Sequence, residues 1–230
     1  MSLKSYIDLL DKAEEAPPEY SVYNCARFDG PGIPAGLGMM RFRTYGDCAA
    51  PREGAVAALW LGGDILNVLA VMEDSDIKNS AVPKNDKTWS TGDVMEFFFQ
   101  PSGGPDYVEL HLAPTGATLE LSFPSLEAFR TRKWGESFFE SGMKTKVEKF
   151  VSPSGKKGWA GLVSVPLKSI GADGDRLNGA RAAVCRYNYN SQWGEKPELS
   201  STVSFKSGSF HNPPAWHVIK FTIRAFDRRA

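Results

Sequence analysis

Apolar and polar residues alternate most regularly between Val94 and Ser122. The pattern predicts three short strands, Val94–Phe99, Tyr107–Leu112 and Thr118–Ser122. Turns through Ser102-Gly103-Gly104-Pro105 and Pro114-Thr115-Gly116 join them. Residues two apart in a strand share a face. Met95, Phe97, Phe99, Val108, Leu110, Leu112, Leu119 and Leu121 are therefore expected against a core. The opposite face would carry Glu96, Phe98, Tyr107, Glu109, His111, Thr118 and Glu120, with Trp89 just outside its edge. Such a polar, partly aromatic face on a rigid sheet suits a hydroxyl-rich ligand. It equally suits the solvated face that antiparallel sheets commonly show.

The rest of the chain continues the same theme. Ser5–Glu15 reads as a short helix packing across the outside of the sheet, with Ile7, Leu9 and Leu10 near one face and Pro17-Pro18 as its stop. Strands are predicted over Ser21–Phe28, Met39–Tyr45, Ala55–Leu61, Ile65–Glu73, Thr145–Phe150, Trp159–Val165, Ala180–Asn188, Glu198–Phe205 and Trp216–Arg224. Ser125–Phe138 has mixed helix and loop character, and Pro166–Gly171 reads as a brief helical turn. About eleven strands at this spacing predict an all-β chain folded as an antiparallel β-sandwich, with a short N-terminal helix and minor helical turns. No fixed-period repeat or linker divides it, so residues 1–230 are expected to form one domain.

Composition narrows the function classes. Lysine plus arginine and aspartate plus glutamate both number 27 in 230 residues, so net charge offers no argument for a nucleic-acid or anionic-membrane partner. No apolar run is long enough for a membrane span. The three cysteines, Cys25, Cys48 and Cys185, show neither a disulfide framework nor a zinc motif; free thiols are expected, with one disulfide plus one thiol as the alternative. The start MSLKSYIDLLDKAEE is charged and unlike a secretory signal, which leaves a cytoplasmic protein or a mature secreted or periplasmic form.

The chain contains no GxSxG, Walker, HExxH or GxGxxG motif, and His111, His211 and His217 lack metal-ligand spacing. Glu96, Glu109 and Glu120 share a predicted face. They could form a glycosidase pair or merely accept hydrogen bonds from sugar hydroxyls. Glu73, Asp74 and Asp76 could bind calcium or form a solvated acidic turn. Trp60 and Trp159 fall inside strand patterns and are expected in the core, whereas Trp134 and Trp193 lie in irregular segments. Trp89 sits in a polar loop, either as a platform for the C–H face of a pyranose or as a cap on the sandwich end. The irregular loops Tyr189–Lys196 and Lys206–Pro214 are natural carriers of binding residues.

Four segments in order, AALWLGGDILNVLAVMEDSD, TWSTGDVMEFFFQPSGGPDYVELHLAPTGATLEL, GWAGLVSVPLKSIG and FHNPPAWHVIKF, resemble the family 9 carbohydrate-binding modules and the related DOMON β-sandwiches. The likeness covers about residues 55–224. Its central features are Trp89, Asp93 and Glu96, then Tyr107, Glu109, Pro114 and Gly116, with Gly158-Trp159 and Phe210-His211-x-Pro213 further on. The resemblance implies a β-sandwich that binds a mono-, di- or oligosaccharide without cleaving it. A carbohydrate-active enzyme on the same glycan would be its partner. Two aromatics clamp a sugar in such modules, here Trp89 and Phe210. Glu109, His111 and Glu96 would supply hydrogen bonds, and Arg186, Tyr187 and Asn212 form a second tier. The chain departs from the family where Phe210 replaces a tryptophan, where Ala183 replaces an asparagine, and over residues 1–54. Two alternatives come with the resemblance: a b-type haem domain using Met72, Met95 and His111, or a scaffold with a vestigial sugar site.

Overall fold

The computed structural model describes residues 22–28, 32–34, 37–152, 154–206 and 208–222. The helix expected over Ser5–Glu15 lies outside them. Among the described residues, thirteen strands form one curled sheet. In chain order they are β1 (Val22–Arg27), β2 (Met40–Arg41), β3 (Arg43–Thr44), β4 (Ala55–Gly62), β5 (Ile65–Glu73), β6 (Val94–Gln100), β7 (Tyr107–Leu112) and β8 (Thr118–Phe123). After these come β9 (Lys144–Val151), β10 (Lys157–Pro166), β11 (Arg181–Asn188), β12 (Glu198–Ser201) and β13 (His217–Thr222). The main order is β8-β7-β6-β11-β13-β1-β4-β5-β10-β9, with β12 beside β11.

This is the all-β, sandwich-like architecture expected. It differs from a purely antiparallel sandwich at its centre, where β1 runs parallel to both β13 and β4. The single strand expected over Met39–Tyr45 is two pieces: β2 pairs with β4 while β3 pairs with β12. The chain crosses between the two halves of the sheet there. Phe42, between the pieces, is buried and its N–H donates to the Ala55 carbonyl at 3.0 Å.

The two halves face each other across the main core. One contributes Met95, Phe97, Phe99, Leu110 and Leu112; the other contributes Leu59, Val68, Met72, Trp159 and Val163. Trp60 packs with Val56, Leu69 and Val71 on the outside of β4 and β5. Both tryptophans expected in the core are buried. A third cluster covers the outer face of β6, β7, β8 and β11. Phe98, Tyr107, Leu119, Leu121 and Phe123 lie there beneath Phe205, Phe210 and Trp216.

That third cluster corrects the expected facing of β8. The turn after β7 is closed by hydrogen bonds from Ala113 N–H to Ala117 O and from Gly116 N–H to Ala113 O, both 2.9 Å. It sets Leu112 opposite Thr118 and Glu109 opposite Leu121. Residues directly opposite share a face. Leu119 and Leu121 therefore join Glu109 and His111, and Glu120 turns to the inner side. Alternation defines two sets of side chains; only the turn decides which set faces which way. Glu120 accepts hydrogen bonds from Ser141 N–H at 2.7 Å and Ser141 Oγ at 2.5 Å.

Candidate functional site

Trp89 rides on a one-turn helix, α1 (Thr88–Thr91), in a segment where sequence predicts only a loop. The turn is tied down from several sides. Asn79 donates to the carbonyls of Thr88 at 2.9 Å and Asp93 at 3.0 Å, and the Tyr189 hydroxyl donates to the Trp89 carbonyl at 2.7 Å. Gly92 ends the turn at φ 146°, against the backbone of Lys78 and Asn79. Any Cβ there would run into the Lys78 carbonyl, so only glycine permits this approach. Asp93, buried, accepts N–H bonds from Lys78 at 2.6 Å and Tyr189 at 2.7 Å. Burial and then Asp74 raise its pKa to about 7.

The Trp89 ring meets Trp134 edge-on, with centroids 5.6 Å apart, and His111 at 5.7 Å. The two tryptophan rings border a cavity of about 570 Å³ over the outer face of β6 to β8. Its floor carries Glu96 from β6 and Glu109 from β7. One wall follows from α2 (Leu126–Thr131), whose N-terminus is capped by Ser125 Oγ accepting from Ala128 N–H at 3.2 Å. Phe129 of α2 stacks on His211 at a centroid distance of 3.5 Å. Tyr45, Tyr187 and Phe210 line the other side.

Buried side chains on the floor form a connected set. His111 Nε2 lies 2.7 Å from Glu109 Oε1 and 3.5 Å from Glu96 Oε1, while its Nδ1 meets Thr88 Oγ1 at 2.7 Å. His211 Nε2 lies 3.4 Å from the other Glu109 oxygen, and its Nδ1 is 2.9 Å from the Tyr107 hydroxyl. Burial, then the charge of Glu109, raise the pKa of Glu96 to about 8, against the counter-pull of His111. Burial also acts to raise Glu109, but His211 and His111 outweigh it and hold the group below its ordinary value. For His111, burial works against the charge and Glu96 and Glu109 outweigh it, so its pKa rises. The floor is thus sorted by direction, with Glu96 pushed toward its protonated form and the hydrogen-bonded Glu109–His111 pair toward its charged form.

Of the residues expected at a site, Trp89, Glu96, Glu109, Tyr187 and Phe210 line this cavity, and His111 supports it from below. Phe210 is 5% exposed and packs on Tyr45, Tyr187 and Phe205, which makes it part of a wall more than a free platform. Asn212 is not among the lining residues. Arg186 faces the other way. It pairs across the sheet with Met95, and its guanidinium donates to the Glu73 carbonyl at 2.6 Å and lies 3.5 Å from Asp74.

The acidic turn is likewise committed to protein partners. Asp74 is buried and accepts from Trp159 Nε1 at 3.2 Å; Asp76 accepts from Ser191 N–H and Oγ at 2.7 Å; Glu73 meets Lys156 at 2.5 Å. Among the described residues, the one grouping of three metal-type ligands is Glu96, Glu109 and His111, with ligand atoms within 4.8 Å of one another. Its 2.7 Å contact is that of a hydrogen-bonded ion pair. The haem ligand set does not assemble: Met72 and Met95 lie in the main core, across the sheet from His111. The three-glutamate face also falls apart, because Glu120 is on the inner side. Cys25, Cys48 and Cys185 are free thiols. No helix among the described residues is long and apolar enough to cross a membrane.

No protein-family profile matches the chain, and no curated protein does. Solved structures do. A candidate carbohydrate-binding protein of Bacteroides uniformis superposes with a TM-score of 0.67 at 13% identity, over 87% of this chain and 99% of that one. A family 9 carbohydrate-binding module of Caldicellulosiruptor kristjanssonii, solved with cellotriose, superposes with a TM-score of 0.59 at 13% identity, over 90% and 98%. The same module with glucose has a TM-score of 0.58 at 13% identity, over 91% and 98%. The chain has the fold of a family 9 carbohydrate-binding module.

On this family 9 fold, sequence reading missed several cavity residues. Trp134 lies in the irregular part of a segment of mixed helix and loop character. His211 adjoins Phe210 in the FHNPP segment, and that adjacency was the available signal. Tyr45 reaches the cavity only through long-range placement, its hydroxyl donating to the Gly208 carbonyl at 2.5 Å.

Proposed function

We propose that this chain is a non-catalytic carbohydrate-binding module whose sugar sits in the cavity beside Trp89. The observation that carries this reading is an aromatic-walled cavity over a floor of buried carboxylates. The exposed parts of Trp89 and Trp134 offer flat apolar surface to pyranose C–H groups, and Glu96, Glu109 and His211 offer oriented polar atoms to hydroxyls. Among the described residues Glu96 accepts no hydrogen bond, its nearest cationic neighbour being His111 at 3.5 Å, so a ligand hydroxyl would give its carboxyl a partner. A carbohydrate-active enzyme working on the same glycan is the partner such a module would serve.

Titration of tryptophan fluorescence and heat against mono- and disaccharides tests the proposal. We expect a saturable response to at least one sugar, and loss of at least about tenfold in affinity in Trp89→Ala, the scale of removing a central aromatic contact. Binding that is unchanged in Trp89→Ala would overturn the site. Split pKa values on neighbouring carboxylates also suit acid–base chemistry. Turnover of aryl glycosides that disappears in Glu109→Gln would therefore overturn the non-catalytic reading.

A further inference from the structure

We infer that the ligand of this cavity is a sugar carrying an anionic group, a uronate-type carboxylate or a sulfate ester, directed at Lys87, Arg132 and Lys133. The inference rests on the sugar-binding reading and narrows its ligand.

Charge in the cavity is sorted by depth. Both lining carboxylates, Glu96 and Glu109, are on the floor at 3% and 5% exposure. The lysines and arginine of the lining, Lys87, Arg132 and Lys133, are exposed and stand at the mouth. They come from the same two short segments that bring Trp89 and Trp134. The chain as a whole is balanced at 27 against 27, so this sorting is local. None of the three is in an ion pair with a carboxylate among the described residues, whereas Lys78, Lys84 and Lys156 on other surfaces are.

Two of the three are also held in place. Lys87 Nζ lies 5.4 Å from the centroid of the Trp134 ring, over its face. Arg132 Nη1 donates to the carbonyls of Ser122 at 3.3 Å and Glu136 at 3.4 Å, which fixes the guanidinium plane. Its remaining N–H groups make no hydrogen bond among the described residues. A guanidinium so placed can meet a carboxylate or sulfate with two parallel bonds.

Solvated lysines at a surface are common and mean little alone. Here they border a floor that asks for the opposite partner. The histidines on either side hold Glu109 toward its acceptor-only form, and Glu96 has no hydrogen-bond partner among the described residues, so hydroxyls suit the buried end of a ligand. A neutral sugar satisfies the floor and leaves the mouth unused. A simple anion suits the mouth and meets the Glu109 charge if it goes deeper. A sugar acid or sugar sulfate, hydroxyls inward and charge outward, matches both ends.

The test is isothermal titration of the intact protein with glucuronate against glucose, galacturonate against galactose, glucose 6-sulfate against glucose, and citrate as an anion without a sugar ring. At low salt we expect an anionic sugar to bind about tenfold tighter than its neutral parent, and the advantage to shrink at about 0.5 M salt. In Arg132→Gln/Lys133→Gln the ratio of anionic to neutral affinity should fall toward one. The uronate and sulfate arms identify which group is read. Equal or tighter binding of the neutral parents would overturn this inference and leave the sugar-binding reading intact. Citrate binding as tightly as the sugar acids would overturn it as plain anion capture. Silence of every sugar, charged and neutral, would overturn both.

Discussion

Two buried ionic clusters stand back to back in this molecule, and they differ in how completely the protein satisfies them. Cys185 and Arg186 are neighbours in β11, paired across to Glu96 and Met95 in β6, so they point to opposite faces. On the inner side, Arg186 and Asp74 are both fully buried and 3.5 Å apart. The arginine is held by the Glu53 and Glu73 carbonyls and the aspartate by Trp159, with Arg186 Nε alone lacking a partner. On the outer side, Glu109 and His111 pair at 2.7 Å, but Glu96 has no hydrogen bond from any described residue and the group opens to a cavity. Burial of charge alone does not mark a site. An unfinished set of partners, facing space, does.

The largest expected effect breaks the closed cluster. Arg186→Leu leaves Asp74 buried without its cation and should cost about 3–5 kcal/mol in chemical denaturation. The double variant with Asp74→Leu should recover much of that. A loss below about 1 kcal/mol for the single variant would mean that the inner cluster is not structural. Next comes the open cluster. Glu109→Gln removes the acceptor common to both histidines and should weaken sugar binding by about tenfold or more, corresponding to about 1.5–3 kcal/mol for a hydrogen bond to a charged group. A variant binding as the parent does would place the ligand elsewhere.

Proton linkage separates the clusters further. Glu96 has a folded pKa near 8 against an ordinary 4.5, so between those values the folded protein keeps a proton that the unfolded chain has released. Its protonation therefore favours folding less as pH rises through that window, by up to about 1.4 kcal/mol per pH unit. The raised His111 acts in the same direction: its contribution is complete below its ordinary 6.5 and is lost as pH climbs through its folded value. The lowered Glu109 contributes above 4.5 and loses its effect only as pH falls below that. Glu96→Gln should flatten the decline in stability measured from pH 5 to 8. An unchanged slope would place the proton elsewhere. The smallest effect is that of Thr88→Val, which removes the 2.7 Å contact to His111 Nδ1. It should cost about 1 kcal/mol of stability, read from the denaturation midpoint.

Much of this was legible in the chain because period-two patterns are local. The strand pattern of β4 to β8 and the outward set Glu96, Glu109 and His111 follow from side-chain alternation alone. The facing of β8 does not, because a one-residue choice at the Ala113–Ala117 turn reverses it, and Glu120 was misplaced for that reason. Arg186 illustrates a second limit. It stood in the second tier of expected site residues, but parity along β11 sends it inward, where only the three-dimensional closeness of residues 53, 73 and 74 explains it. Trp134 and Tyr45 mark a third, since nothing local links either to Trp89. The parallel pairing of β1 with β13 belongs to the same class, because it joins residues separated by nearly the whole described chain.

That pairing bears on how the molecule comes into being. β13 sits in the middle of the sheet order, between β11 and β1. Until β13 emerges during synthesis, β1 lacks the partner of Val22–Ala26 and β11 lacks one at Arg181–Ala182, so β1 above all is an open edge ready to join another chain. The Phe210-His211 segment immediately precedes β13, so the cavity wall is completed by the same late event. Pairings of such long sequence separation form slowly. Ligand binding should accordingly return with the slowest refolding phase, which makes it a reporter of the completed sheet rather than of folded halves.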